Sequence, residues 1–239
     1  MRRAVALILL MYALPGRVAA QDSSRTFYRS GWADVVSVTA AGGVYFLPGA
    51  FDLPKHGPSC APCDPATLPA IDRGAIHEES PSLDVTSTAT LLVVGGYSAF
   101  QALHGLTPEQ WHGNFAVLAN SASWTAAAAE WIKVLVHRER PVMYTSGAAA
   151  AASNLDNVES FPSGHTALAF AAATTYTVLA ARQHYPHRAR DSILLYAGAT
   201  AVGVLRVLAG KHFPTDVLGG AALGSGIGWL VPTMHPTLP

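Results

Sequence analysis

Apolar and polar positions fall in long blocks along this chain rather than in alternating pairs. Apolar segments rich in Ala, Leu, Val and Gly cover about 34–51, 86–104, 114–136, 164–181, 192–210 and 217–231. None keeps a period of two over a useful length, and their lengths suit helices better than strands. The pattern therefore predicts an all-α fold of six helices. Pro and Gly clusters mark loops at 54–69, 105–110, 141–160 and 184–190.

The first block is of another kind. Arg2 and Arg3 precede an apolar run, Ala4 to Leu14, that is short for a bilayer span, and Val18-Ala19-Ala20 offers small residues before Gln21. This is the pattern of a secretory leader over residues 1–20, with a first membrane anchor as the alternative. Its removal takes Arg2, Arg3 and Arg17 and leaves a mildly acidic mature chain. Nothing in that balance suggests nucleic-acid binding. A chain of 239 residues fits one domain or at most two small ones. The expected division is a leader (1–20), an N-terminal segment with the first helix and a Cys-containing loop (21–85), and a core (86–231).

Only 13% of the residues are charged, against about 25% in ordinary soluble domains. Six helices could form a soluble bundle or six membrane spans. Segments 35–51 and 86–104 carry no charge and approach the roughly 20 residues a span needs. The balance tilts toward membrane embedding.

The chain has two cysteines, Cys60 and Cys63. In an exported protein they read as a disulfide across a tight turn. Metal binding is the other use of such a pair, but no second Cys or His pair stands at zinc-finger spacing, and no metal site is expected.

Three clusters carry chemistry. In "WIKVLVHRERP" Lys133 and Arg140 stand seven residues apart, close to two helical turns, so both are expected on one face at a helix end before Pro141. Basic residues there also simply suit the helix dipole. His137, Arg138 and Glu139 are expected to be solvated or interface residues. In "FPSGHTALAF" Ser163 can cap a helix, Gly164 admits close approach, and free N–H groups at a helix start attract an anion. His165 on the first turn could give a proton to a leaving oxygen, or be a satisfied polar residue. In "VLRVLAGKHFPTDVLGG" Arg206 lies inside an apolar helix, His212 follows the turn at Gly210, and Asp216 is expected to cap the last helix. A carboxylate near a His can fix its tautomer and leave the other nitrogen free.

Together the clusters hold three cations, two histidines, a carboxylate and an anion-binding helix start, a set suited to a tetrahedral dianion. The motifs K-x6-R-P (Lys133 to Pro141), P-S-G-H (Pro162 to His165) and R-x5-H-x3-D (Arg206 to Asp216) resemble those of the type 2 phosphatidic acid phosphatase (PAP2) superfamily. They come in that family's order, over about residues 86–231. One departure is Leu205, where the family usually has Ser before the third motif's Arg.

The resemblance implies a six-helix PAP2-like bundle and a phosphatase acting through a phosphohistidine. By it, His212 attacks phosphorus, Asp216 orients and charges His212, and His165 protonates the leaving alcohol and then activates water. Lys133, Arg140 and Arg206 neutralise the phosphate oxygens, and Ser163 and the Gly164 N–H add hydrogen bonds. It implies no cofactor, the cations standing where a metal would.

The expected substrates are phosphorylated lipids or small phosphate esters, monoesters or diphosphates. The expected location is an inner membrane with the site facing the periplasm, or the soluble periplasm as a broad-specificity acid phosphatase. A cleaved leader followed by six crossings is expected to leave both mature ends outside, with the second and third motifs on the outer face. A vanadium-dependent haloperoxidase shares this anion pocket but usually has a longer chain. A non-catalytic lipid-binding protein would not need every one of these positions.

Overall fold

The computed structural model describes residues 25–54 and 56–238, so the expected leader at 1–20 lies outside the described residues. Six long helices form the molecule: α1 (Trp32–Ala50), α2 (Pro81–Leu103), α3 (Pro108–Val136), α4 (Gly164–Arg182), α5 (Arg188–Leu208) and α6 (Pro214–Met234). Single turns at Ala70–Arg73 and Ala148–Ala151, and 3₁₀ turns at Pro65–Thr67, Pro141–Tyr144 and Leu155–Val158, sit in the loops. The only β pairing among the described residues is an isolated bridge between Tyr28 and Thr237.

The six helices match the six apolar blocks, and most differences lie at their starts. Helices α2, α3 and α5 begin four to six residues before the first apolar position because a first turn can form from polar residues that need no burial. Pro81 and Pro108 hold the first positions of α2 and α3, where a missing N–H costs nothing. Thr107 and Gln110 close a capping box on α3. The polar stretches at 105–110 and 184–190 are thus partly helix. Helix α2 begins at Pro81, inside the segment that the sequence assigned to the N-terminal part.

Helix α4 is central and packs against α2, α3, α5 and α6, while α1 lies along α3. Its contact with α6 is close because small residues face each other. A Cβ at Gly220 would stand 2.5 Å from the Ser163 carbonyl, one at Gly228 2.7 Å from that of Ala171, and one at Gly224 would overlap that of Ala167. Tyr176, Leu179, Leu195 and Val202 fill the core. The outside is apolar too: Phe46 on α1, Leu92 and Val93 on α2, Ile193 and Val204 on α5, and Leu218 and Trp229 on α6 are all exposed.

Side-chain contacts fix which helix ends meet. Trp124 bonds Ser37 and Trp131 bonds the Val44 carbonyl, so α1 and α3 run parallel. Asp84 near the start of α2 meets Arg206 near the end of α5, and the Ser163 N–H before α4 donates to the Asp216 carbonyl of α6. One end therefore gathers the C-termini of α1, α3 and α5 and the N-termini of α2, α4 and α6. Trp32 and Met234 lie at the opposite end.

Candidate active site

All three motifs converge on that first end. His212 is 2% exposed. Its Nδ1 lies 2.7 Å from the Ser160 carbonyl. A carbonyl only accepts, so Nδ1 carries the hydrogen and Nε2 keeps its lone pair. Burial pushes the His212 pKa down to about 4; Asp216 pulls it up, and Arg140 and Arg206 push it further down. The ring is neutral at ordinary pH.

Asp216 is placed differently from the expectation. The N-cap position of α6 is held by Phe213, whose side chain makes no cap, and Asp216 stands at the third helical position, accepting the Phe213 N–H at 2.8 Å. Its Oδ2 is 3.8 Å from His212 Nδ1, too far for a hydrogen bond. The carboxylate is already taken by Ser160 Oγ at 2.6 Å and by Arg138. Asp216 acts on His212 as a nearby charge.

The basic pair also departs from its expected geometry. Helix α3 ends at Val136, and His137 takes the left-handed conformation with φ 54°. Lys133 is in the last turn, whereas Arg140 is extended (φ −74°, ψ 163°) beyond the helix. Lys133 pairs with Glu130 at 3.1 Å. Burial pushes the nearby Glu159 carboxyl up, while Lys133 pulls it down. Arg140 keeps a buried Nε–H without a partner among the described residues.

Arg206 is 4% exposed. Its Nη1 contacts Asp84 and, at 3.1 Å, Ser87. Its buried Nε–H has no partner among the described residues, which leaves the Nε–Nη2 edge as a fork for an oxyanion.

Ser163 precedes α4 as expected but makes no side-chain cap. It is fully buried, and its hydroxyl accepts from Thr166 at 2.9 Å. The first-turn N–H groups of α4 thus stay available to an anion. A Cβ at Gly164 would meet nothing within 4 Å, so the space beside it is open. His165 Nε2 lies 3.1 Å from Thr88 Oγ1, and the charges acting on its ring come from Arg206, Asp84, Lys133 and Arg140. All eight predicted catalytic and anion-binding residues are thus at one end of the bundle. A cleft of about 760 Å³ lined by Trp32, Trp124 and Leu230 is at the other end.

Several residues here escaped the sequence reading. Asp84, Ser87 and Thr88 come from α2, which carries none of the motifs. Its N-terminal signal, Pro81 with an acidic residue in the first turn, was there to be used. Arg138, expected to be a solvated or interface residue, bridges Asp72 at 2.7 Å and Asp216. In the Cys-containing loop, Cys60 and Cys63 form a disulfide with Cα atoms 4.9 Å apart. The Cys63 N–H donates to the Met143 carbonyl at 2.8 Å, close behind Arg140.

The sequence profile of the PAP2 superfamily matches residues 114–239, which hold every residue of the three motifs. The chain belongs to the PAP2 superfamily. Over 74 residues it is 39% identical to the lipid A 1-phosphatase of Porphyromonas gingivalis, covering 30% of this chain and 15% of that protein. Over 71 residues it is 45% identical to phosphatidylglycerophosphatase B of Bacillus subtilis, covering 27% of this chain and 34% of that protein. The matched stretches thus span about a seventh and a third of those PAP2 relatives.

Two solved structures are similar. The crystal structure of Aquifex aeolicus LpxE aligns over 67% of this chain and 92% of its own at 25% identity, with a TM-score of 0.46. That of a transmembrane PAP2-type phosphatidylglycerolphosphate phosphatase from Bacillus subtilis aligns over 85% and 96% at 21% identity, with a TM-score of 0.42.

Proposed function

We propose that this PAP2 protein hydrolyses phosphate monoesters or diphosphates of lipids through a phosphohistidine at His212. The observation that carries this is the neutral, buried His212, held by the Ser160 carbonyl with Nε2 free. Nε2 attacks phosphorus, and the bond to the leaving oxygen breaks as His165 gives that oxygen a proton. The phosphorylated ring keeps its Nδ1 proton and is cationic, and the charge of Asp216 steadies it. Water then attacks phosphorus, His165 takes its proton, and the P–N bond returns its electrons to Nε2. The Arg206 fork, Arg140, Lys133 and the start of α4 hold the anionic oxygens.

The names of the two relatives, a lipid A phosphatase and a phosphatidylglycerophosphatase, favour a lipid phosphate. So do the apolar outer faces. Helices α5 and α6 are long and apolar enough to cross a bilayer, with mean hydropathy of 1.5 and 1.3 over their best windows.

Six crossings would put the site on one side and Trp32 and Met234 on the other. The Cys60–Cys63 disulfide is at the site end, and disulfides persist in oxidising compartments. This favours a site facing outward, with residues 25–31 on the cytoplasmic side. A chain that enters α1 from outside, after a cleaved leader, would carry its site inward. The expected combination of cleaved leader, six crossings and outward site does not fit this helix order. The leader pattern therefore favours a second reading, a soluble exported phosphatase, which needs no crossings.

The test is phosphate release in detergent from phosphatidic acid, phosphatidylglycerophosphate, lipid A and p-nitrophenyl phosphate. The wild type should act on a lipid, and His212→Ala should lose at least about a thousandfold. Equal release by both proteins would end the proposal. Release of the protein from cells by osmotic shock alone would select the soluble reading.

A further inference from the structure

Arg138 has no place in the K-x6-R-P motif, yet it is tied more closely to the third motif than Lys133 or Arg140. Its Nη1 contacts Asp216 Oδ1 and lies 2.6 Å from Thr215 Oγ1; its Nη2 donates to Asp72 Oδ2 at 2.7 Å. The guanidinium carbon stands 4.6 Å over the Phe213 ring. Both carboxylates are completely buried.

Asp72 does a second job from the same place. It accepts the Thr215 N–H at 3.1 Å and the Thr215 hydroxyl at 2.7 Å. Phe213 has no capping oxygen in its side chain, so this carboxylate, 143 residues away in sequence, caps α6. Two buried carboxylates share one guanidinium and the positive end of a helix dipole. Removing the cation would leave a buried charge without its partner.

The consequence for His212 follows from the bonds of Asp216. One oxygen is held by Arg138, and the other by Ser160 Oγ and the Phe213 N–H. A carboxylate fastened on both sides cannot close the 3.8 Å gap to Nδ1. The charged groups facing His212 are Asp216 from α6, Arg206 from α5 and Arg140 from the bend after α3. The adjacent Lys211 is paired with Glu79. Of these, Asp216 alone favours the protonated ring, and Arg138 holds it away.

We propose that Arg138, anchored by Asp72, is a positioning residue for phosphoryl transfer: it restrains Asp216 so that His212 keeps its Nδ1 proton on Ser160 and a free Nε2. The role rests on His212 being the nucleophile, but the restraint itself does not. Without Arg138, Asp216 can turn onto Nδ1 and make the ring more basic.

The test compares wild type with Arg138→Gln, Arg138→Lys and Asp72→Asn. Each is followed by thermal unfolding, by the pH dependence of kcat/KM, and by the pH dependence of His212 modification by diethyl pyrocarbonate. In Arg138→Gln the midpoint of His212 titration and the acid limb of kcat/KM should rise by about one pH unit. Its kcat should fall about tenfold to a hundredfold, with KM within about threefold because Arg138 does not touch the phosphate. Arg138→Lys should regain thermal stability but not the titration, because an ammonium lacks the fork that spans both carboxylates. Asp72→Asn should shift the same way by less. If Arg138→Gln does not fold, the other two variants carry the same expectation.

An unmoved His212 titration in the folded variants overturns the proposal, as does a rise in KM with kcat retained. If wild type releases no phosphate from any substrate, the phosphatase reading fails, while the modification profile still decides whether the restraint exists.

Discussion

The Nδ1 of His212 donates to the backbone carbonyl of Ser160 at 2.7 Å, while the carboxylate of Asp216 stops 3.8 Å away. A carbonyl cannot take a proton at working pH, so it fixes the tautomer without competing for the charge. A carboxylate bonded to the ring would also raise its basicity. The geometry therefore favours a ring that stays neutral in acid, as the proposed nucleophile must.

The pH dependence should show this. The His212 pKa in the fold, about 4, lies below its ordinary 6.5. Between these values the unfolded chain binds the extra proton, so the contribution of His212 to stability is full above about pH 6.5 and falls away toward pH 4. The loss should reach roughly 3 kcal/mol. Unfolding followed by circular dichroism between pH 4 and 7 measures it, and His212→Asn should flatten the slope. The acid limb of kcat/KM should sit nearer pH 4 than 6.5.

Asp84 should matter through Arg206. Asp84→Ala leaves Ser87 alone on Nη1, so the fork loses its alignment. Competitive inhibition by inorganic phosphate should weaken about tenfold, the size of one charge-assisted hydrogen bond, with a smaller change in kcat. Unchanged inhibition would mean that packing alone aligns the guanidinium.

Two glycines of α6, two residues apart, should behave oppositely. A Cβ at Gly224 overlaps the Ala167 carbonyl, whereas one at Gly226 meets nothing within 4 Å. Gly224→Ala should lower stability by roughly 3 kcal/mol, since backbone cannot step aside as a side chain does. Gly226→Ala should be neutral, or stabilising by up to about 1 kcal/mol from helix propensity. Thermal midpoints in detergent compare the two. Activity should fall with Gly224→Ala as well, because this contact sets Ser163 beside Asp216.

How far the site could be read in advance differs residue by residue. That Lys133, Arg140, His165, Arg206 and His212 belong to one cluster was legible because short motifs of fixed spacing mark them. Arg138 was not: a basic residue at a helix end is indistinguishable from a solvated one until its partners are known. Asp72 lies 66 residues from Arg138, in a loop whose composition says only turn. Thr88 and His165 are 77 apart, and neither is remarkable without the other. In the sequence Asp216 looks like the cap of its own helix, because nothing there reveals that Asp72 fills that place.

The sequence by itself determined the six helices and the chemical inventory of the site. Hydrophobic blocks dictate which segments must be covered, and motifs place particular side chains at particular helix ends. The tertiary structure decided which end each helix brings to the site, which carboxylate pairs with which cation, and that the ring of His212 answers to a carbonyl. Those outcomes depend on contacts between distant residues and on the direction of helices, which local spacing does not encode.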